Sequence, residues 1–124
     1  MGGVQCSTFL LAEQLIKEKS ADARIFLPGE GPFSTLCQKH AIPFSVYNSI
    51  PYISTSFSLL NDKFRIPNPL AWVYNICVIL LNSIRIIKKL KQYDVPHLAV
   101  TKGLPTHFSA GLACKHLNIP VIWH

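Results

Sequence analysis

Short apolar runs alternate with segments of helical period along this chain, and that alternation narrows its possible folds more than any other feature. Residues 4–18 place Phe9, Leu10, Ala12, Leu15 and Ile16 at helical spacing, with Glu13, Gln14, Lys17 and Glu18 on the polar side. Residues 23–27 form a short apolar run broken by Pro28-Gly29, which reads as a buried strand and a turn. Residues 33–40 read as a short helix with Leu36 and Cys37 inward, and residues 42–46 as a second strand. Later, residues 97–101 and 121–123 read as strands on either side of a helix over 108–117, which carries Ala110, Leu112, Ala113, Cys114 and Leu117. Short buried strands between helices predict an α/β chain: a Rossmann-like parallel sheet with right-handed crossovers and helices on both faces.

Two stretches stand apart from this rhythm. Residues 47–69 mix Ser, Pro and aromatic residues and read as an irregular excursion. Residues 70–90 are the strongest helix, with Asn75, Asn82, Arg85 and Lys89 on one narrow stripe and apolar residues over most of the rest. As a membrane span, residues 70–87 would have Lys88, Lys89 and Lys91 as a cytoplasmic flank. Against that, Asn75, Asn82, Ser83 and Arg85 interrupt the ~20 predominantly apolar residues a span needs. Peripheral attachment through the basic residues stays open.

The 124 residues suffice for one domain with a real core, and 49% hydrophobic against 15% charged residues excludes a disordered chain. Nine Pro and six Gly are scattered, and no internal repeat shows at any solenoid period. A doubly wound sheet carries its first strand ahead of the glycine turn, yet here the glycines stand at positions 2 and 3. The last strand, moreover, has no helix after it. The expectation is therefore a domain over 1–124 truncated at both ends, with its first strand missing.

Charge is uneven. Residues 1–62 carry four Lys/Arg against five Asp/Glu, a net −1, whereas residues 63–124 carry eight Lys/Arg against Asp94 alone, a net +7. Such a basic half suits an anionic partner, whether phosphorylated substrate, acidic membrane surface or nucleic acid, and equally suits an uneven solvated surface. Cys6, Cys37, Cys77 and Cys114 lack CxxC spacing and sit in apolar patterns, which predicts buried structural thiols in a reducing compartment. Met1 leads directly into Gly2-Gly3 without a secretory h-region, and the expected location is cytoplasmic.

Several residues could carry chemistry. Gly2-Gly3 before a helix would let backbone N–H groups approach an anion, or would simply form a strand-to-helix turn. The turn from Pro28 to Pro32 could line a cleft or only start a helix. Thr101-Lys102-Gly103 follows a strand, where Lys102 could pair with phosphate or stay a solvated lysine. His40, His97, His107 and His116 read as helix-end, strand-start or solvated residues, and none has metal-ligand spacing. His124, directly after Val121-Ile122-Trp123, stands at the ligand-binding edge of the expected sheet, where an imidazole can bond a hydroxyl or phosphate or shift a proton. GxSxG, GxxxxGK[ST] and a full GxGxxG are absent, and no RNP strand or helix-turn-helix supports nucleic-acid binding.

Taken in order, these pieces resemble a known family. The Gly-Gly turn, the segment from Phe9 to Tyr47, a long helix and the segment from Asp94 to His124 look like the N-terminal half of a family 4 glycosyltransferase. The most telling part is Ala110-Gly111-Leu112-Ala113 through Ile119-Pro120-Val121-Ile122-Trp123-His124. The resemblance implies the acceptor-side half of a GT-B fold, two Rossmann-like domains across a cleft. It implies retaining transfer from a nucleotide-sugar donor to a sugar or lipid-linked acceptor, with no metal or cofactor. Gly2 and Gly3 would lie near donor phosphates and acceptor, Thr101, Lys102 and Gly103 on the acceptor side, and His124 against the transferred sugar. The family often has His-x-His where this chain has Ala99-Val100-Thr101, which leaves the acceptor open. The Glu-x7-Glu motif of the family's C-terminal domain does not occur in these residues. A different reading of the same features is a non-catalytic Rossmann-like module that binds a phosphorylated ligand.

Overall fold

The computed structural model describes residues 3–19, 22–59, 64–95, 97–100 and 104–123. Among them the order is α1 (Gly3–Lys17), β1 (Ile25–Leu27), α2 (Pro32–Lys39), β2 (Phe44–Val46), β3 (Ser56–Leu59), β4 (Phe64–Pro67), α3 (Pro69–Leu90), β5 (Leu98–Val100), α4 (Leu104–Leu117) and β6 (Val121–Trp123). The helices start where local chemistry lets them. Pro32 opens α2 with its fixed φ, and Ser34 Oγ accepts from the Gly31 N–H at 2.9 Å and donates to the Gly31 carbonyl at 2.7 Å. At α3, Pro69 follows the N-cap Asn68, whose Oδ1 accepts from the Ala71 N–H at 3.2 Å.

Two β–α–β units carry the same turn. After α2, Ala41 adopts φ 53°, the Ile42 N–H reaches back to the Cys37 carbonyl at 2.9 Å, and the Ala41 N–H reaches the Gln38 carbonyl at 3.2 Å. After α4, Asn118 adopts φ 55°, Ile119 donates to Cys114 at 2.9 Å and Asn118 to Lys115 at 3.4 Å. Both are Schellman ends, with a left-handed residue and paired back-bonds that satisfy the last helix carbonyls. Each is followed by Ile-Pro and a strand, and the proline carbonyls accept the first ladder bonds, Ile25 N–H to Pro43 at 2.9 Å and Leu98 N–H to Pro120 at 3.0 Å. Each unit has its own core. Phe9, Ala12, Ile25, Leu27, Cys37 and Ile42 fill the first; Ile86, Leu90, Ala110, Ala113 and Cys114 fill the second.

The expected Rossmann-like sheet with helices on both faces is not what this chain forms. β1 pairs in parallel with β2, β5 in parallel with β6, and β3 antiparallel with β4, giving three separate two-stranded sheets. The N-terminal half of a GT-B fold is corrected with it, since that half requires a continuous sheet. The reason lies in main-chain direction. The bonds of Ile25 and Leu27 go to β2 and that of Leu98 goes to β6. By the alternation of a parallel ladder, the amide and carbonyl of Phe26 and Ala99 point the other way. Between them lies a cavity of about 750 Å³ that both residues line. A gap of that size keeps the two pairs from bonding each other.

Within the stretch expected to be irregular, residues 47–59 and 64–69 are more ordered than expected. The alternating runs 56–59 and 64–67 form the antiparallel pair, and residues 48–53 are held by side chains of α3. Asn82 Oδ1 accepts from the Ile50 N–H at 2.8 Å and its Nδ2 donates to the Ile50 carbonyl at 3.0 Å. Asn75 does the same for Ile53, at 3.0 and 2.9 Å, and Arg85 donates to the Asn48 carbonyl. A side-chain amide offers one acceptor edge and one donor edge, so each asparagine pairs with the backbone as a strand would. The polar stripe on α3 is a dock for the main chain of residues 48–53.

Candidate functional site

Of the residues singled out by sequence, Gly3 opens α1. Gly2, Thr101, Lys102, Gly103 and His124 lie outside the described residues. The framework next to them is described. Val100 and Trp123 are Cα partners at the ends of β5 and β6, so the two strands finish flush. Thr101 and His124 are the next residues of two adjacent parallel strands. The strand ends that precede two of the predicted site segments therefore lie side by side.

A second feature was not anticipated. The cavity between the two units is bordered by Leu11, Ala12 and Leu15 of α1, by Phe26 of β1, by Ile86 and Leu90 of α3, and by Leu98 and Ala99 of β5. Its wall is largely apolar, and Asp22, Arg24, Asp94 and His97 line it from the segments just ahead of β1 and β5, with Lys89 and Tyr93 beside them. The Arg24 guanidinium lies 4.2 Å from the centre of the Tyr93 ring, a cation–π contact, and its Nη1 donates to Ser45 Oγ at 3.3 Å and to the Phe44 carbonyl at 3.4 Å. Ser45 Oγ and Tyr93 Oη are 2.9 Å apart. That hydrogen bond, with the nearby Arg24 and Lys89 charges, holds the Tyr93 phenol below its usual range. Phe26 meets the Tyr93 ring edge-on at 5.9 Å between centroids. Three elements far apart in sequence build this corner, and sequence spacing carries no signal for it.

Burial also sets the thiols and one more phenol. Cys37 and Cys114 are fully buried, and desolvation pushes both thiols up, away from reactivity. Cys6 and Cys77 are exposed, which corrects the expectation that all four are buried. Tyr47, packed on the second core, is pushed up to about 12, first by burial and then by the Tyr52 phenol. No group of three or more His, Cys, Asp or Glu among the described residues could hold a metal ion. Compared with known proteins, the chain matches no protein-family model, no curated protein and no solved structure.

Proposed function

We propose that the chain supplies the acceptor-side part of a retaining glycosyltransferase that uses a nucleotide sugar. The observation that supports this reading is the flush end of β5 and β6, the two strands that directly precede Thr101-Lys102-Gly103 and His124 in the sequence. In the reaction the bond from the anomeric carbon to the leaving phosphate breaks and the nucleoside diphosphate keeps its electron pair. The acceptor oxygen forms the new bond and passes its proton to the departing diphosphate. Lys102 pairs with phosphate as a point charge, and the His124 imidazole hydrogen-bonds the sugar as the bond breaks. Positioning and charge stabilisation do most of the work.

The test needs the chain together with a polypeptide carrying the Glu-x7-Glu segment, with release of nucleoside diphosphate from UDP- and GDP-sugars as the readout. His124→Ala is expected to lower kcat by ~10²-fold or more, the range for a positioned polar group. His107→Ala and His116→Ala should stay near the parent rate. Parent-like turnover for His124→Ala, or equal losses in all three, would remove His124 from the site. A module that only binds a phosphorylated ligand is favoured by a different observation, Arg24 and Lys89 together at the cavity. It would bind inorganic phosphate through those two residues and release no diphosphate.

A further inference from the structure

The two helices of the second unit keep a large apolar surface in water. On α3, Leu70 is 79% and Val73 62% exposed, and Cys77, Leu80 and Ile84 continue the same seam at steps of three and four residues. The next two positions of that seam are the exposed Lys88 and Lys91. On α4, the exposed Phe108 and Leu112 are one turn apart, and the exposed Lys115 follows on the same line. Neither helix contains an acidic residue. The second core leaves this seam unused, because it is filled by Ile86, Leu90, Ala110, Ala113 and Cys114 from the opposite faces.

We infer that the outer face of α3, with its neighbour α4, docks on an anionic lipid surface, the helices lying in the plane of the membrane. The apolar seam suits the boundary between headgroups and acyl chains, and the lysines that end both seams suit lipid phosphates. Residues 63–124 carry a net +7, which gives the whole unit the complementary charge. By length and composition alone α3 could cross a membrane. Its inner face is taken, however: Asn75, Asn82 and Arg85 bond the backbone of residues 48–53, and Ser109 of α4 donates to the Ile79 carbonyl at 3.2 Å. A crossing helix would drag that loop and α4 into hydrocarbon or leave those backbone groups unpaired. Docking in plane keeps every one of these bonds. This inference does not rest on the transferase reading, because lipid binding requires no sugar.

Co-sedimentation of the chain with vesicles of phosphatidylglycerol alone and of phosphatidylcholine alone tests it. Binding to the first, weak or absent binding to the second, and release by ~1 M salt are expected. Ile84→Glu, with its helical circular dichroism unchanged, should lose binding. Lys88→Gln together with Lys91→Gln should weaken it by about 30-fold, from about 1 kcal/mol for each lysine near an anionic surface. Equal binding to both vesicles, binding to neither, or an unchanged affinity in the lysine variant would overturn the inference. So would retention through an alkaline carbonate wash, which marks a spanning helix, or a lipid-free dimer that Ile84→Glu splits, which marks a second copy as the cover.

Discussion

The two β–α–β units close their helices with the same turn yet dress them differently. Cys37 and Cys114 occupy equivalent places, both fully buried, and each is followed by a left-handed residue, Ile-Pro and a strand. The first unit sits in the half of the chain with net −1, and its Arg24 and Ser45 face the second unit's Tyr93. The second unit lies in the half with net +7 and carries Leu70, Val73, Leu80, Ile84, Phe108 and Leu112 exposed to solvent. The first unit's α1 also exposes Leu10 and Leu11, but the second unit carries a longer run of such residues. Contiguous exposed apolar patches mark interaction sites. The second unit is thus built for a surface contact as well as for stability.

The largest expected effect breaks the clamp that only the second unit has. Asn82 is 1% exposed, and Asn82→Leu leaves the Ile50 amide and carbonyl without their partners. A cost on the order of 2–4 kcal/mol is expected in urea unfolding. The matched change in the first unit, Ser45→Ala, removes a buried hydroxyl whose partners, the exposed Arg24 and the half-buried Tyr93, can turn to water, and it should cost only about 1 kcal/mol.

Next comes a pH effect at the seam between the units. The folded-state pKa of Tyr47 is raised to about 12, so its contribution is fully present below pH ~10 and lost as pH rises from there through 12. The loss is on the order of 2 kcal/mol, and Tyr47→Phe should remove it in denaturation curves taken between those pH values. Tyr93, held low, has the opposite sign: relative to Tyr93→Phe, the parent chain gains stability as pH rises toward 10.

The smallest effect compares the turns themselves. Ala41 pays a Cβ penalty at φ 53° that glycine would not, so Ala41→Gly should stabilise by about 1 kcal/mol. Asn tolerates this conformation better, so Asn118→Gly should change stability by less than about 0.5 kcal/mol. Equal shifts at the two sites, measured by thermal unfolding, would contradict the claim that one turn geometry carries residues of different fitness.

Much of the local structure was readable because periodicity is local. The four helices and the strands of both units lie where apolar spacing puts them, with α4 beginning before the expected residue 108. The joining of strands into sheets was not readable, because the edge that a strand bonds is set by the whole fold. The polar stripe of α3 was visible, yet its partner was not, since backbone amides and carbonyls of residues 48–53 leave no mark in residue type. β3 and β4 alternate over only four residues each, too short to stand out beside prolines and serines. The Cys-x4-Ile-Pro segment occurs twice, but its two copies lie too far apart to form a periodic repeat. Of the candidate site, chain order pointed to the segments after β5 and β6, while the corner made by Arg24, Ser45 and Tyr93 exists only through tertiary packing.

Nature has placed an exposed thiol on each side of the comparison. Cys77 lies in the apolar seam of α3, Cys6 lies on α1, and the buried Cys37 and Cys114 serve as unreactive controls. Alkylation rates of the two exposed thiols, followed by peptide mass spectrometry with and without phosphatidylglycerol vesicles, therefore test the surface role of the second unit most directly. The expected result is that vesicles slow Cys77 several-fold and leave Cys6 unchanged. Unchanged rates at both thiols, or equal slowing of both, would contradict it.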